Sequence, residues 1–316
     1  MSHRRGFALI AVLWLLVAIA AGSLAFSLRA RDRRRVAANG SELVRARAAA
    51  EAGLERVRMG LEQRARGEER ILTRGGPTTD VDPWWYLDGV APDSGALRTE
   101  RYSATLRDAN SALNLNRASE DQLRRLMIAL RVDAGVADRL AQCIMDWKDP
   151  DDLHRGRGAE RAEYIRLDSP VLPANAPFLE LRELLYVKGM TRAVYDRILP
   201  HLTLLGTGQV NLNTAPEPVL LALPGITPEA AEVILRDRRG GRRVGSVTDL
   251  QKELSSTGRD ALQENLSILL AATTTETREV EVHARGWTSG GVVRSGIEAL
   301  FVRAGSTTYQ VWRRAE

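Results

Sequence analysis

The chain has one cysteine and four histidines in 316 residues. A single thiol, Cys143, excludes an internal disulfide. It sits in the apolar-periodic run LAQCIMDW, which reads as a small buried side chain rather than a nucleophile. The histidines are dispersed and form no Cys/His cluster, which argues against zinc. Also missing are G-x-S-x-G, a Walker loop, a dinucleotide fingerprint and a metal-type histidine pair. The glycine pairs at Arg239–Gly241 and Gly290–Gly291 are isolated, as turns are. No sugar cleft is suggested around the acids that a glycosidase would need, so the chain reads as non-enzymatic. Lysine is scarce as well, confined to Lys148, Lys188 and Lys252, so the net charge of +5 is built from arginine. The arginines are interleaved with acids, the pattern of a solvated mixed surface rather than a nucleic-acid stripe. The length suits about two domains.

Charge is absent altogether from Phe7 to Leu28, a run of 22 residues. As a helix it reaches ~33 Å, enough for the ~30 Å core of a bilayer. It is too long for the apolar core of a secretory signal, so it reads as a retained anchor. No proline follows until well past Met59, and Leu43, Ala50, Leu54, Val57 and Leu61 recur at helical spacing. One long helix is predicted, membrane-embedded over 7–28 and amphipathic over 29–60, with Gly22, Gly40 and Gly53 as soft points.

Further on, GGPTTDVDPWWYLDGVAPDSG reads as loop, with Trp84 and Trp85 as packing residues. LRTERYSATLRD predicts one strand. Two β-leaning runs around Ser289-Gly290-Gly291 predict a hairpin, and TYQVWRRA a further strand. The middle is helical and contains a repeat 97 residues apart, LNLNRASEDQLRRL (Leu113–Leu126) and VNLNTAPEPVLLAL (Val210–Leu223). Ser119 and Thr214 are the candidate N-caps of the helices that follow. The domain scheme is therefore 61–108 with 273–316 as an α/β unit, interrupted by a helical insertion over 109–272.

The leader MSHRRG, then Phe7 and an unbroken apolar helix, resembles the type IV pilin class. That resemblance implies cleavage by a prepilin peptidase between Gly6 and Phe7, methylation of the new Phe7 amine, and loss of Arg4 and Arg5. The fifth mature residue is Ala11 where major pilins carry Glu, so no carboxylate is available there to pair with a neighbour's terminal amine. Arg29, Arg31, Arg33, Arg34 and Arg35 outnumber the basic residues before the apolar run, and charge alone would hold the large domain in the cytoplasm. The leader is the more specific signal, and it implies a periplasmic domain on a single inner-membrane span.

DWKDPDD, GAE, PANAPFLELRELLYVKGMT and VNLNTAPEPVLLALPGI, in that order, resemble the K family of type II secretion minor pseudopilins (general secretion pathway protein K). The resemblance implies an α+β pilin-like fold with a long N-terminal helix and antiparallel sheet. It also implies a large inserted all-α domain containing helix-hairpin-helix-like units. Such a protein would form the tip of a periplasmic pseudopilus with the minor pseudopilins I and J and support pseudopilus initiation and protein export.

Two candidate sites remain. Asp146, Asp149, Asp151 and Asp152 fall within seven residues, followed by Glu160 and Glu163. Counted from Asp149, acids occupy positions one, three and twelve, but Leu153 and His154 stand at five and six, so the loop is no EF-hand. The residues alone suit either a cation or a solvated turn, and the resemblance implies calcium, with Arg161 standing where an acid is usual. The alternative function is a membrane-anchored, DNA-binding receptor using the units LPGITP and VKGMTR. Pro228 removes an N–H from the first, and Asp196, Glu229, Glu232 and Asp237 follow the two turns, so no nucleic acid is expected.

Overall fold

The computed structural model describes residues 3–65, 93–166, 171–240, 242–291, 293–305 and 307–315, with side chains in the first helix described over 12–62. The elements run α1 (His3–Ala65), β1 (Asp93–Leu97), β2 (Glu100–Asp108), β3 (Leu113–Asn114), α2 (Glu120–Ala129), α3 (Ala134–Lys148), α4 (Arg161–Tyr164), α5 (Arg192–Ile198) and β4 (Leu202–Thr203). They continue with β5 (Val210–Asn211), α6 (Glu217–Leu221), α7 (Pro228–Arg239), α8 (Val247–Leu250), α9 (Ser256–Glu264), α10 (Leu266–Ala272), β6 (Thr273–Thr274), β7 (Glu279–Trp287), β8 (Arg294–Ala304) and β9 (Thr307–Ala315). Trp84 and Trp85 lie outside the described residues.

Helix α1 is continuous for 63 residues, about 95 Å, straight through Gly22, Gly40 and Gly53. From Val12 to Leu28 its large apolar side chains are exposed, and the helix is long and apolar enough near its N-terminus to cross a membrane. From Ala46 one face is buried by Ala46, Ala49, Ala50, Leu54, Val57 and Leu61. Leu43, counted in that stripe from its spacing, is exposed, because the sheet begins about one turn further along.

The sheet is antiparallel throughout, in the order β1-β2-β7-β8-β9, and α1 covers its central strands. Alternation sets the buried face: Ala104 and Leu106 on β2, Val280, Val282 and Ala284 on β7, Ile297, Ala299 and Phe301 on β8. So many small residues let the helix backbone approach the strands. At Gly286 a Cβ would stand 2.1 Å from the Ala46 carbonyl oxygen and 2.4 Å from the Ala50 nitrogen. Gly53 is not a soft point but a packing position, since a Cβ there would meet the Tyr102 ring at 2.8 Å.

The strand expected over LRTERYSATLRD is β2, but a further strand, β1, precedes it, and its Asp93–Gly95 lie in the stretch read as loop. β1 and β2 fold back at Arg98–Thr99, and Arg98 takes φ 59°. Two-residue hairpins usually advertise themselves with Asn or Gly at that conformation, and this one has neither. The hairpin at Ser289–Gly291 and the final strand form as expected.

The helical insertion leaves the sheet after Asp108 and returns at Glu279, six residues later than the expected return at 273, because β6 pairs with β5 inside the insertion. Asp108 is fully buried at this junction. Its Oδ2 accepts from Asn211 Nδ2 (2.6 Å), Thr214 Oγ1 (2.9 Å) and Thr277 Oγ1 (2.8 Å), and its Oδ1 from the Asn110 N–H. Burial raises its carboxyl pKa against those four bonds. Thr214 is thereby diverted from capping: Pro216 occupies the N-cap of α6, whereas Ser119 caps α2 in a complete capping box with Gln122.

The sequence repeat is a structural one. β3 pairs in parallel with β4 and β5 with β6, each strand leading through an Asn whose Oδ1 accepts backbone N–H groups just beyond it. Lys148 donates to the carbonyls of Leu115, Asn116 and Ala118. Arg238 donates to that of Ala215, the counterpart of Ala118 in the 97-residue register. Burial brings the Lys148 ammonium down to about 8.

Candidate metal centre and the helix-turn-helix units

The acidic loop begins at the C-terminal end of α3, where Asp149 is the C-cap. An aromatic cluster holds the surrounding segments together. Trp147 meets the Tyr164 ring edge-on with centroids 5.5 Å apart and stacks on Phe178 at 6.2 Å. Asn116 bonds both the N–H and the carbonyl of Phe178, which brings the 171–178 segment beside the loop.

Within this frame the six predicted acids separate into two groups. Asp149, Asp151 and Glu160 each present a carboxylate oxygen within 4.8 Å of the others. Asp146, Asp152 and Glu163 are used elsewhere. Asp146 is fully buried and receives the Arg155 N–H and guanidinium, the latter at 2.5 Å, and the same Arg155 Nη1 also donates to Asp149 Oδ2 at 2.6 Å. A Cβ at Gly158 would lie 1.8 Å from Asp146 Oδ2, so this pocket for a buried carboxylate requires glycine there. Asp152 accepts from Asn175 Nδ2, and Glu163 accepts the Glu160 N–H as a cap of the short α4.

This part of the structure contains buried oxygens with nothing to bind. Asp149 Oδ1, both Glu160 carboxylate oxygens and Asn175 Oδ1 are buried with no hydrogen-bond partner among the described residues. Burial, followed by the charges of Asp146, Asp149, Asp152 and Asp151, pushes Glu160 up to about 7. Buried acceptors without donors are costly, and a cation held between Asp149 and Glu160 would relieve that cost at their oxygens. The converging donors are all hard carboxylate oxygens, from Asp149, Asp151 and Glu160, which suits calcium and not zinc. Cys143 lies apart, donating to the Arg157 carbonyl, and burial raises its thiol to about 11.

Sequence reasoning missed Asn175 and Arg155. Asn175 is 24 residues past Asp151, yet its Nδ2 donates to the Asp151 carbonyl. Its one visible signal is Pro173-Ala-Asn-Ala-Pro177, a turn-rich stretch in which Asn175 takes φ 45°. Arg155 offered no signal, since its role follows from the loop folding back on α3.

The two glycine turns differ in access. At Gly225 (φ 81°) a Cβ would stand 2.9 Å from Asn265 Cβ and 3.0 Å from the Ala261 carbonyl, so α9 and its junction with α10 cover the turn. A phosphate cannot reach it. Gly189 (φ 84°) is exposed, but Arg192 beside it pairs with Asp196. A third unit was not anticipated: Arg131 (φ 60°) followed by the N-cap Asp133 repeats the geometry of Gly225 and the N-cap Thr227.

Residues 104–207 and 210–268 match two family models described as type II secretion system (T2SS), protein K. Type II secretion system protein K of Aeromonas hydrophila is 30% identical over 262 residues, 73% of this chain and 74% of that protein. The chain belongs to the type II secretion system protein K family. The protein K of Pseudomonas aeruginosa is 33% identical over 178 residues, and this match spans 52% of the chain and about half, 51%, of that relative's length. In fold, the chain resembles a chain of the GspK–GspI–GspJ complex from enterotoxigenic Escherichia coli, with a TM-score of 0.60 at 19% identity. That likeness covers 91% of this chain and 99% of the other.

Proposed function

We propose that this protein K is a minor pseudopilin at the tip of a periplasmic pseudopilus, assembled with the minor pseudopilins I and J, where it supports pseudopilus initiation and protein export. One observation carries the tip position. Gly286 on β7 faces Ala46–Ala50 of α1, while Thr277 and Val280 share a small cavity with Leu61, fifteen residues further along the helix. The strand therefore runs back along α1, and the insertion attached to its start lies at the end of the helix away from the apolar segment. A mass of that size obstructs any subunit stacked above it, and a terminal subunit has none.

The same reading makes the chain a prepilin peptidase substrate, held in the inner membrane by 7–28 until assembly, with its folded domain in the periplasm. Gly6, Phe7 and Ala11 lie in the backbone of α1. Gly6→Ala is expected to leave an uncleaved precursor and to lose secretion. Electrophoretic comparison with the native protein reads this directly, and a shortened, active Gly6→Ala protein contradicts it.

The acidic loop adds a structural calcium ion. Asp149, Asp151 and Glu160 would hold it, and its charge would tie Asp149 and Asp151 to Glu160.

A further inference from the structure

The arginines that follow the apolar segment form one block. Arg29, Arg31, Arg33, Arg34 and Arg35 are all exposed, with Asp32 the one acid among them. At ~100° per residue they stand at roughly 0°, 200°, 40°, 140° and 240° around the axis, within about 9 Å along it. They encircle the helix. A protein partner packs on one face, as the sheet does from Ala46 onward, and calls for a stripe.

Their partners also differ from those of the arginines further along α1. Arg47 pairs with Glu51, Arg56 with Asp93, and Arg58 with Glu55 and Glu62. The five arginines of the block make no ion pair among the described residues. They begin directly after Leu28, where the uncharged run ends, which is headgroup depth on the side of the folded domain.

We propose that this arginine belt binds the phosphate-bearing headgroups of anionic phospholipids in the leaflet facing the sheet. The inference rests on the reading of α1 as a membrane anchor. Guanidinium groups take phosphate oxygens in paired hydrogen bonds, and a ring of them meets headgroups on every side. The belt sets the depth of the helix, so that Ala46, the first residue packed on the sheet, stands about 17 Å above its last arginine, Arg35. It also accounts for a basic flank on the translocated side, because lipid phosphate neutralises it there.

The test reconstitutes the full chain in phosphatidylcholine vesicles carrying a trace of spin-labelled phosphatidylglycerol or spin-labelled phosphatidylcholine. Electron paramagnetic resonance then reads the motionally restricted lipid at the protein surface. The phosphatidylglycerol label is expected to be enriched about threefold over phosphatidylcholine at low salt, and the preference to vanish near about 1 M salt. It should also vanish in the variant with Arg29, Arg31, Arg33, Arg34 and Arg35 all changed to Gln, and persist when only Arg4 and Arg5 are changed. Equal restriction of both labels by the native chain, or an undiminished preference in the five-glutamine variant, overturns the belt. Flotation with the vesicles separates the two ideas. A chain that fails to float overturns the anchor and the belt together, whereas one that floats without lipid preference overturns the belt alone.

Discussion

Gly286→Ala is expected to unseat the long helix from the sheet. The added methyl would lie 2.1 Å from the Ala46 carbonyl oxygen and 2.4 Å from the Ala50 nitrogen. Both are backbone atoms of a regular helix, so no side chain can rotate away. Either α1 lifts from β7 or β7 bends out of the sheet, and both open the cluster built from Leu54, Val57, Val282, Ile297 and Phe301. Overpacking commonly costs about 1–3 kcal/mol, and a clash with two rigid backbones belongs above that, near 4 kcal/mol. Gly40→Ala is the matched control, because its Cβ meets nothing within 4 Å and the residue is an exposed helix interior. It should gain about 0.5–1 kcal/mol. Urea denaturation of the two variants checks the pair. Equal stability in both contradicts the close approach of helix and strand.

The second large effect concerns calcium. Chelation is expected to lower the melting temperature of the protein, and calcium at ~100 times its dissociation constant should restore about 2.7 kcal/mol. Metal-free protein should also carry a pH signature from Glu160. Its carboxyl is raised from 4.5 to about 7 in the folded state, so folding takes up a proton between those values. The Glu160 contribution to metal-free stability is therefore fully present below pH ~4.5 and is lost as the pH rises through about 7. Calcium opposes that decline, because it favours the ionised carboxylate. Glu160→Gln should abolish the response to calcium while making the metal-free protein more stable at neutral pH, since a buried unpaired charge is removed. Calorimetry with and without chelator reads all of this. An unchanged melting temperature and no heat of binding would remove the ion.

Much of this fold is legible in the sequence because it rests on local patterns. The uncharged run, the period of Ala50, Leu54, Val57 and Leu61, and the hairpin glycines all act within a few residues of themselves. The features that escaped depend on tertiary contacts. Leu43 has the right period but lies beyond the edge of the sheet, and nothing local reports where the sheet begins. Thr214 is an ideal capping residue, yet Asp108, 106 residues away, takes its hydroxyl. Arg98 and Arg131 adopt positive φ without being Gly or Asn, so their turns are silent. At the candidate metal centre the acids could be seen as a cluster, but which of them converge could not. Arg155 bridges the buried Asp146 and Asp149, Glu160 lends its N–H to Glu163, and Asn175 bonds the loop from a separate segment. The family motifs point to the neighbourhood, and the folding of the loop selects the oxygens.

The distal placement of the insertion makes the central claim one about assembly. Detergent extraction of the full chain, expressed with the I and J minor pseudopilins of its own secretion system, tests it most directly. The account predicts that the three copurify at equal stoichiometry and elute as one species in size-exclusion chromatography. A chain that elutes alone, with I and J both present and folded in the same extract, would contradict it.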